Sequence, residues 1–153
     1  MKMLIDEQTF ILLKRTINKD GWLELPASGY SMYPFIRQGN LCRFVPCNPS
    51  SLKKGDILLF HSLDGRLIAH RFIRTKWMNH QQRILLKGDT NLGFDLPIGE
   101  ERVLGKLVSV QKQHFKLSPN HFISKLWGKL ILTFPCLSGI LQKYLNRKWK
   151  LQY

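Results

Sequence analysis

Negative charge is scarce in this chain. Its 153 residues carry 10 Asp and Glu against 24 Lys and Arg, a formal net charge of +14, and no acid follows Glu101. Such a field favours anionic partners, whether lipid head groups or nucleic acid, and is silent on chemistry. Cysteine is scarce too. Cys42, Cys47 and Cys136 make an odd count, with no neighbouring Cys/His pair to complete a zinc site, so no metal framework is expected. They read as free thiols, with a Cys42–Cys47 bridge left open for a domain outside the membrane. Long apolar runs are missing as well. Near the start only Phe10-Ile11-Leu12-Leu13 is continuous, with Asp6 and Glu7 before it and Lys14 and Arg15 after it. That excludes a secretory h-region, and no membrane anchor is expected ahead of the β region. Internal repeats and low-complexity segments are absent. The apolar fraction of 44% argues against disorder, and the length predicts one domain with at most a short appendage.

Three segments follow from patterning. Residues 1–20 read as a short amphipathic helix, with Asp6 as its cap and Phe10, Leu13 and Ile17 on one face. Residues 21–117 read as β: Trp22–Leu25, Leu41–Val45, Asp56–Phe60, Arg66–Ile73, Gln82–Lys87 and Val103–Val110. Ser62-Leu63-Asp64-Gly65 makes a hairpin turn, and Gly105 marks a bulge or a close backbone approach. Short strands between turn signals predict a mainly β, coiled domain. Residues 118–153 form a basic, apolar tail, helical in pattern from Phe122 to Leu145. Lys129, Pro135 and Lys143 interrupt it too often for a spanning helix, which needs about 20 mostly apolar residues. Trp127, Tyr144 and Trp149 near its ends suit a helix lying in an anionic membrane surface; packing on the β domain is the alternative.

The chemistry-bearing residues lie in Ser28-Gly29-Tyr30-Ser31-Met32-Tyr33-Pro34, Ile68-Ala69-His70-Arg71 and Lys87-Gly88-Asp89-Thr90-Asn91, with Asp95 shortly after. A serine hydroxyl is a weak nucleophile at neutral pH; it needs a base for its proton and a third group to orient that base. Serine, histidine and aspartate are all here, in that order, although order alone proves little. His61, His80, His114 and His121 lie outside any motif and read as structural.

Together with Lys54-Gly55-Asp56-Ile57-Leu58-Leu59-Phe60 and Val103-Leu104-Gly105-Lys106-Leu107-Val108, these segments resemble the signal peptidase I and LexA-type serine peptidase superfamily. The likeness runs from about Pro26 to Val110. Bacterial signal peptidases and LexA-type proteins use a lysine where this chain has His70, so it is most similar to the Ser-His branch found in the endoplasmic reticulum, archaea and spore formers. A second departure is Asn40, where an aspartate usually follows the glycine; we read it as a turn.

The resemblance implies a coiled β-rich peptidase domain, Ser31 as nucleophile and His70 as base. Asp95 would orient His70 and Asp89 would hold its loop, and the two roles could be exchanged. The Ser31 N–H and the Ser28 hydroxyl or its loop would stabilise the oxyanion. An extended peptide or preprotein would pair with a strand edge, and no metal or organic cofactor is needed. Attachment to an anionic membrane surface through residues 118–153 is expected, with a cytoplasmic protein as the alternative and nucleic acid not favoured. Two rivals are a LexA-like self-cleaving regulator and a non-catalytic basic module that binds membrane or nucleic acid. The first needs a DNA-binding domain and an Ala-Gly or Cys-Gly cleavage site ahead of Ser31; the first 25 residues hold neither.

Overall fold

A computed structural model of the chain describes residues 2–150; Met1, residues 151–153 and the side chains of Lys2, Trp149 and Lys150 lie outside the described part. The strands are β1 (Lys2–Leu4), β2 (Leu23–Pro26), β3 (Leu41–Val45), β4 (Ile57–His61), β5 (Arg66–Met78), β6 (Gln81–Lys87), β7 (Val103–Gln111) and β8 (Lys116–Leu117). The helices are α1 (Glu7–Asp20), α2 (Phe122–Thr133) and α3 (Pro135–Lys150). All the strands join one curled antiparallel half-barrel sheet, in the order β1-β5-β4-β7-β3-β2, with β6 on β5 and β8 on β7. Helix and strand take 32% and 33% of the described residues. The architecture is therefore mixed α/β rather than mainly β, because three helices complete what strand patterning alone left as a coiled sheet.

α1 starts where its cap predicts. The Asp6 carboxylate accepts the Thr9 N–H at 2.7 Å, and Gly21 closes the helix in the left-handed region, φ +77°. Phe10 and Ile17 are buried and Leu13 packs beside them. Ahead of the cap, Lys2–Leu4 pair with Arg66–Ile68 as a short strand at the sheet edge, an element the sequence reading did not include. The tail breaks at Phe134-Pro135 into two helices, because proline has no N–H to continue α2 and fits the first turn of α3.

All five residues of β4 are buried, which requires cover on both faces. Ile57 and Leu59 join a core with α1, Met32, Phe35 and Ile36; Leu58 and Phe60 join a second with Ile68, Phe72, Ile84, Leu86 and Ile98. Leu67 and Ala69 of β5 belong to the first core, Ile68 and Phe72 to the second. Side chains alternate along a strand, so His70 shares the second face and Arg71 the first. Gly105 makes the close approach that its place in a strand predicts: a Cβ there would lie 2.7 Å from the Val45 carbonyl oxygen and 2.8 Å from Ile17 Cδ1. Cys42, Cys47 and Cys136 are free thiols.

Candidate active site

β5 carries the two residues that organise the site. His70 is fully buried on the second face, its ring centroid 6.2 Å from that of Phe60. Its Nδ1 lies 2.6 Å from Asp95 Oδ2. Asp95 sits after β6 in a segment held by its own N–H, which donates to the Leu86 carbonyl at 2.9 Å. A carboxylate at Nδ1 favours the tautomer with the proton there, leaving Nε2 as acceptor. Nε2 is buried and has no hydrogen-bond partner among the described residues. That is a costly arrangement for a purely structural histidine and a useful one for a base.

Arg71 faces the other way. Its Nε and Nη2 donate to the two oxygens of Asp89 at 2.6 and 3.0 Å, and Nη1 donates to the Gly55 carbonyl at 3.2 Å. The Arg71 and Asp89 side chains are 4% and 1% exposed. A third donor reaches Asp89 from α2: Trp127 Nε1–H at 2.9 Å from Oδ2. The alternation of β5 thus separates two carboxylates only six residues apart. Asp95 lies on the histidine, and Asp89 ties the sheet to α2.

Ser31 lies in the turn region between β2 and β3. That loop is pinned at its base by Ala27 N–H to the Asn40 carbonyl and Gly39 N–H to the Ala27 carbonyl, both 2.8 Å. Asn40 closes it, its Oδ1 accepting the Arg37 N–H at 2.9 Å. Gly29 takes φ +76°, a conformation that favours glycine. Met32, Phe35 and Ile36 anchor the loop in the first core, while Ser28 and Ser31 stay half-buried.

The Gly88–Asn91 turn links serine to histidine. The Thr90 N–H donates to the Ser31 carbonyl at 3.0 Å, and Thr90 Oγ1 donates to the Tyr30 carbonyl at 3.3 Å. At its other end, a Cβ on Gly88 would lie 2.8 Å from His70 Nε2. One turn therefore packs against the unpaired ring nitrogen and holds the backbone of Ser31. The structure brings His70 and Asp95 into direct contact, joins Ser31 to them through this turn, and places Asp89 in the support beneath.

Sequence reasoning missed the supporting residues. Arg71 was legible in principle, since strand alternation sends it away from His70. Trp127 carried no signal, because its contact crosses 38 residues to Asp89. The tail supports the site elsewhere too: Tyr33 stacks on Tyr144 of α3 with ring centroids 6.2 Å apart, and buried Lys87 donates to Ser138 Oγ at 3.3 Å. His61 is buried, stacked on Phe10 and within 3.3 Å of the Ile5 carbonyl. Among the described residues no group of three or more His, Cys, Asp or Glu could hold a metal ion.

Protein-family models, curated proteins and solved structures give no match to the chain. The functional reading therefore rests on the motifs and on this geometry.

Proposed function

We propose that the protein is a serine endopeptidase of the signal peptidase and LexA type, with Ser31 as nucleophile and a His70–Asp95 pair as its base. The observation that carries the reading is the buried imidazole with a carboxylate on Nδ1 and, among the described residues, no partner on Nε2. Ser31 Oγ attacks the scissile carbonyl; His70 Nε2 takes the serine proton and later delivers it to the leaving amine. Asp95 keeps the Nδ1 proton in place and stabilises the imidazolium as it forms. The Ser31 N–H and the Ser28 hydroxyl serve the developing oxyanion. Nothing in this scheme needs a metal or organic cofactor.

The substrate is an extended segment of a preprotein or peptide precursor, bound through main-chain hydrogen bonds along a strand edge. Exposed Leu92, Phe94 and Leu96 flank Asp95, an apolar rim suited to such a segment. The tail is read as the surface that meets an anionic membrane. α2 buries Ser124, Gly128 and Ile131 while exposing Phe122, Ile123, Leu126 and Leu130. No described helix is long and apolar enough to cross a membrane; the attachment we propose is peripheral, through the basic and apolar face of the tail.

The test is reaction of the full chain with a fluorophosphonate probe, together with cleavage of peptides carrying small residues before the scissile bond. Labelling and cleavage should both vanish in Ser31→Ala and His70→Ala, and the double variant should be no worse than either, because nucleophile and base act as a unit. Wild-type turnover in Ser31→Ala would end the hydrolase reading.

A further inference from the structure

A cavity of about 690 Å³ opens where the start of β4 and the middle of β7 meet α2, and neither Ser31, His70 nor Asp95 lines it. Six cationic side chains do, Lys53, Lys54, Arg71, Lys106, Lys125 and Lys129, against a single carboxylate, Asp56. Part of this charge is matched internally. Lys106 Nζ donates to Asp56 Oδ2 at 3.2 Å, and Arg71 is held by Asp89. Among the described residues no ion pair engages Lys53, Lys54, Lys125 or Lys129. The cavity thus keeps a strong positive excess inside walls that exclude part of the solvent, where a field is least screened.

Two further features give the charge a direction. Ser124 lines the cavity at the third position of α2; it is 4% exposed, and its Oγ has no hydrogen-bond partner among the described residues. Buried hydroxyls are normally satisfied, and a serine in a helix has the carbonyl one turn back within reach. Asn120 and Ser124 bracket the start of α2 and both line the cavity. His121, in the capping position, makes no side-chain cap. The first-turn N–H groups and the positive end of the helix dipole therefore sit at the same mouth as the unpaired hydroxyl.

We propose that this cavity binds a phosphate-bearing anion, either a free phosphoester or the headgroup of an anionic lipid. Phosphate oxygens accept hydrogen bonds from Ser124 Oγ and the first turn of α2, and Lys54 and Lys125 balance the charge from the rim. The volume exceeds a bare phosphate and admits the polyol of a small phosphoester. The exposed apolar residues Phe122, Ile123 and Leu126 lie on the same helix, which is where a headgroup site belongs on a surface that meets lipid. The inference stands apart from the peptidase reading, since none of these residues serves the chemistry at Ser31.

Inorganic phosphate titrated into the full chain at low ionic strength, followed by calorimetry and by Trp fluorescence, tests it. Saturable binding is expected, about tenfold weaker in Ser124→Ala and again in Lys54→Gln/Lys125→Gln, as loss of a charge-assisted hydrogen bond or of paired rim charges predicts. The lysines are exposed, so that variant keeps the fold; unchanged thermal melting checks it. Glycerol 1-phosphate and vesicles of phosphatidylcholine with phosphatidylglycerol then separate the sources. Displacement from vesicles by glycerol 1-phosphate, lost in the variants, assigns a lipid headgroup. Soluble binding with vesicle attachment indifferent to the variants assigns a free phosphoester. Non-saturable phosphate binding, or equal affinity in wild type and both variants, overturns the proposal. So does binding of a short RNA without saturable phosphate binding, which would make this face a nucleic-acid surface.

Discussion

Replacing each of the two aspartates by asparagine should produce opposite failures, one of stability and one of catalysis. Asp89 accepts two hydrogen bonds from Arg71 and one from Trp127, with both members of the ion pair almost wholly buried. Asp89→Asn leaves the guanidinium buried without a counter-charge, a loss of about 3–5 kcal/mol. Set against a total stability of about 5–15 kcal/mol, that removes roughly a fifth of it or more. For a domain of this length it lowers Tm by about 6–20 °C. Removing both charges in Arg71→Met/Asp89→Leu should recover much of the loss, since an apolar pair of similar volume can replace a buried ion pair. Recovery stays incomplete, because Trp127 Nε1–H and the Gly55 carbonyl lose their partners at about 1–3 kcal/mol each.

Asp95→Asn differs. The side chain is 18% exposed and contacts His70 Nδ1, and an asparagine oxygen can still accept that proton. Stability should fall by about 1 kcal/mol or less. The imidazolium, however, loses its carboxylate, and turnover should drop by about a hundredfold to ten-thousandfold. Thermal melts and peptide cleavage on the same four proteins decide the matter. The reasoning fails if Asp89→Asn melts with the wild type, or if Asp95→Asn is the variant that unfolds while Asp89→Asn loses only activity.

Gly88→Ala should abolish cleavage without unfolding, because the new methyl would lie 2.8 Å from His70 Nε2 and 3.0 Å from the Asn91 side chain; near-wild-type turnover would mean that Nε2 is not the working atom. Thiol chemistry gives a pH-dependent check on the first core. Burial pushes the Cys42 thiol from 9.0 up to about 12, so its contribution to stability is fully present below pH 9 and is lost as pH rises towards 12. A thiol reagent at pH 8 should therefore label exposed Cys136 and leave Cys42 untouched until denaturant is added; labelling of Cys42 in the native protein would show that the core around Phe44 and Ile57 opens readily.

What was legible in the sequence follows how local each signal is. The α1 cap at Asp6, the buried run of β4 and the close approach at Gly105 depend on neighbouring residues or on strand packing, and all can be read from the chain. The two aspartates could not be told apart by their spacing from His70, since 19 and 25 positions say nothing of contact. They are told apart by the pleat of β5, which sends His70 and Arg71 to opposite faces, each with a carboxylate of its own. The tail was legible as helical and basic but not as part of the site, because what joins it are single long-range contacts: Trp127 to Asp89, Ser138 to Lys87, Tyr144 to Tyr33. Only the folded sheet makes these residues neighbours. Gly128 illustrates the point. In sequence it is a helix-weakening residue between Trp127 and Lys129, yet a Cβ there would come within 3.0 Å of Arg71 Nη1. Its smallness is what lets α2 approach the guanidinium closely enough for Trp127 to reach Asp89. The helix that lines the basic cavity is thus tied, by one missing side chain, to the ion pair beneath the strand that carries His70.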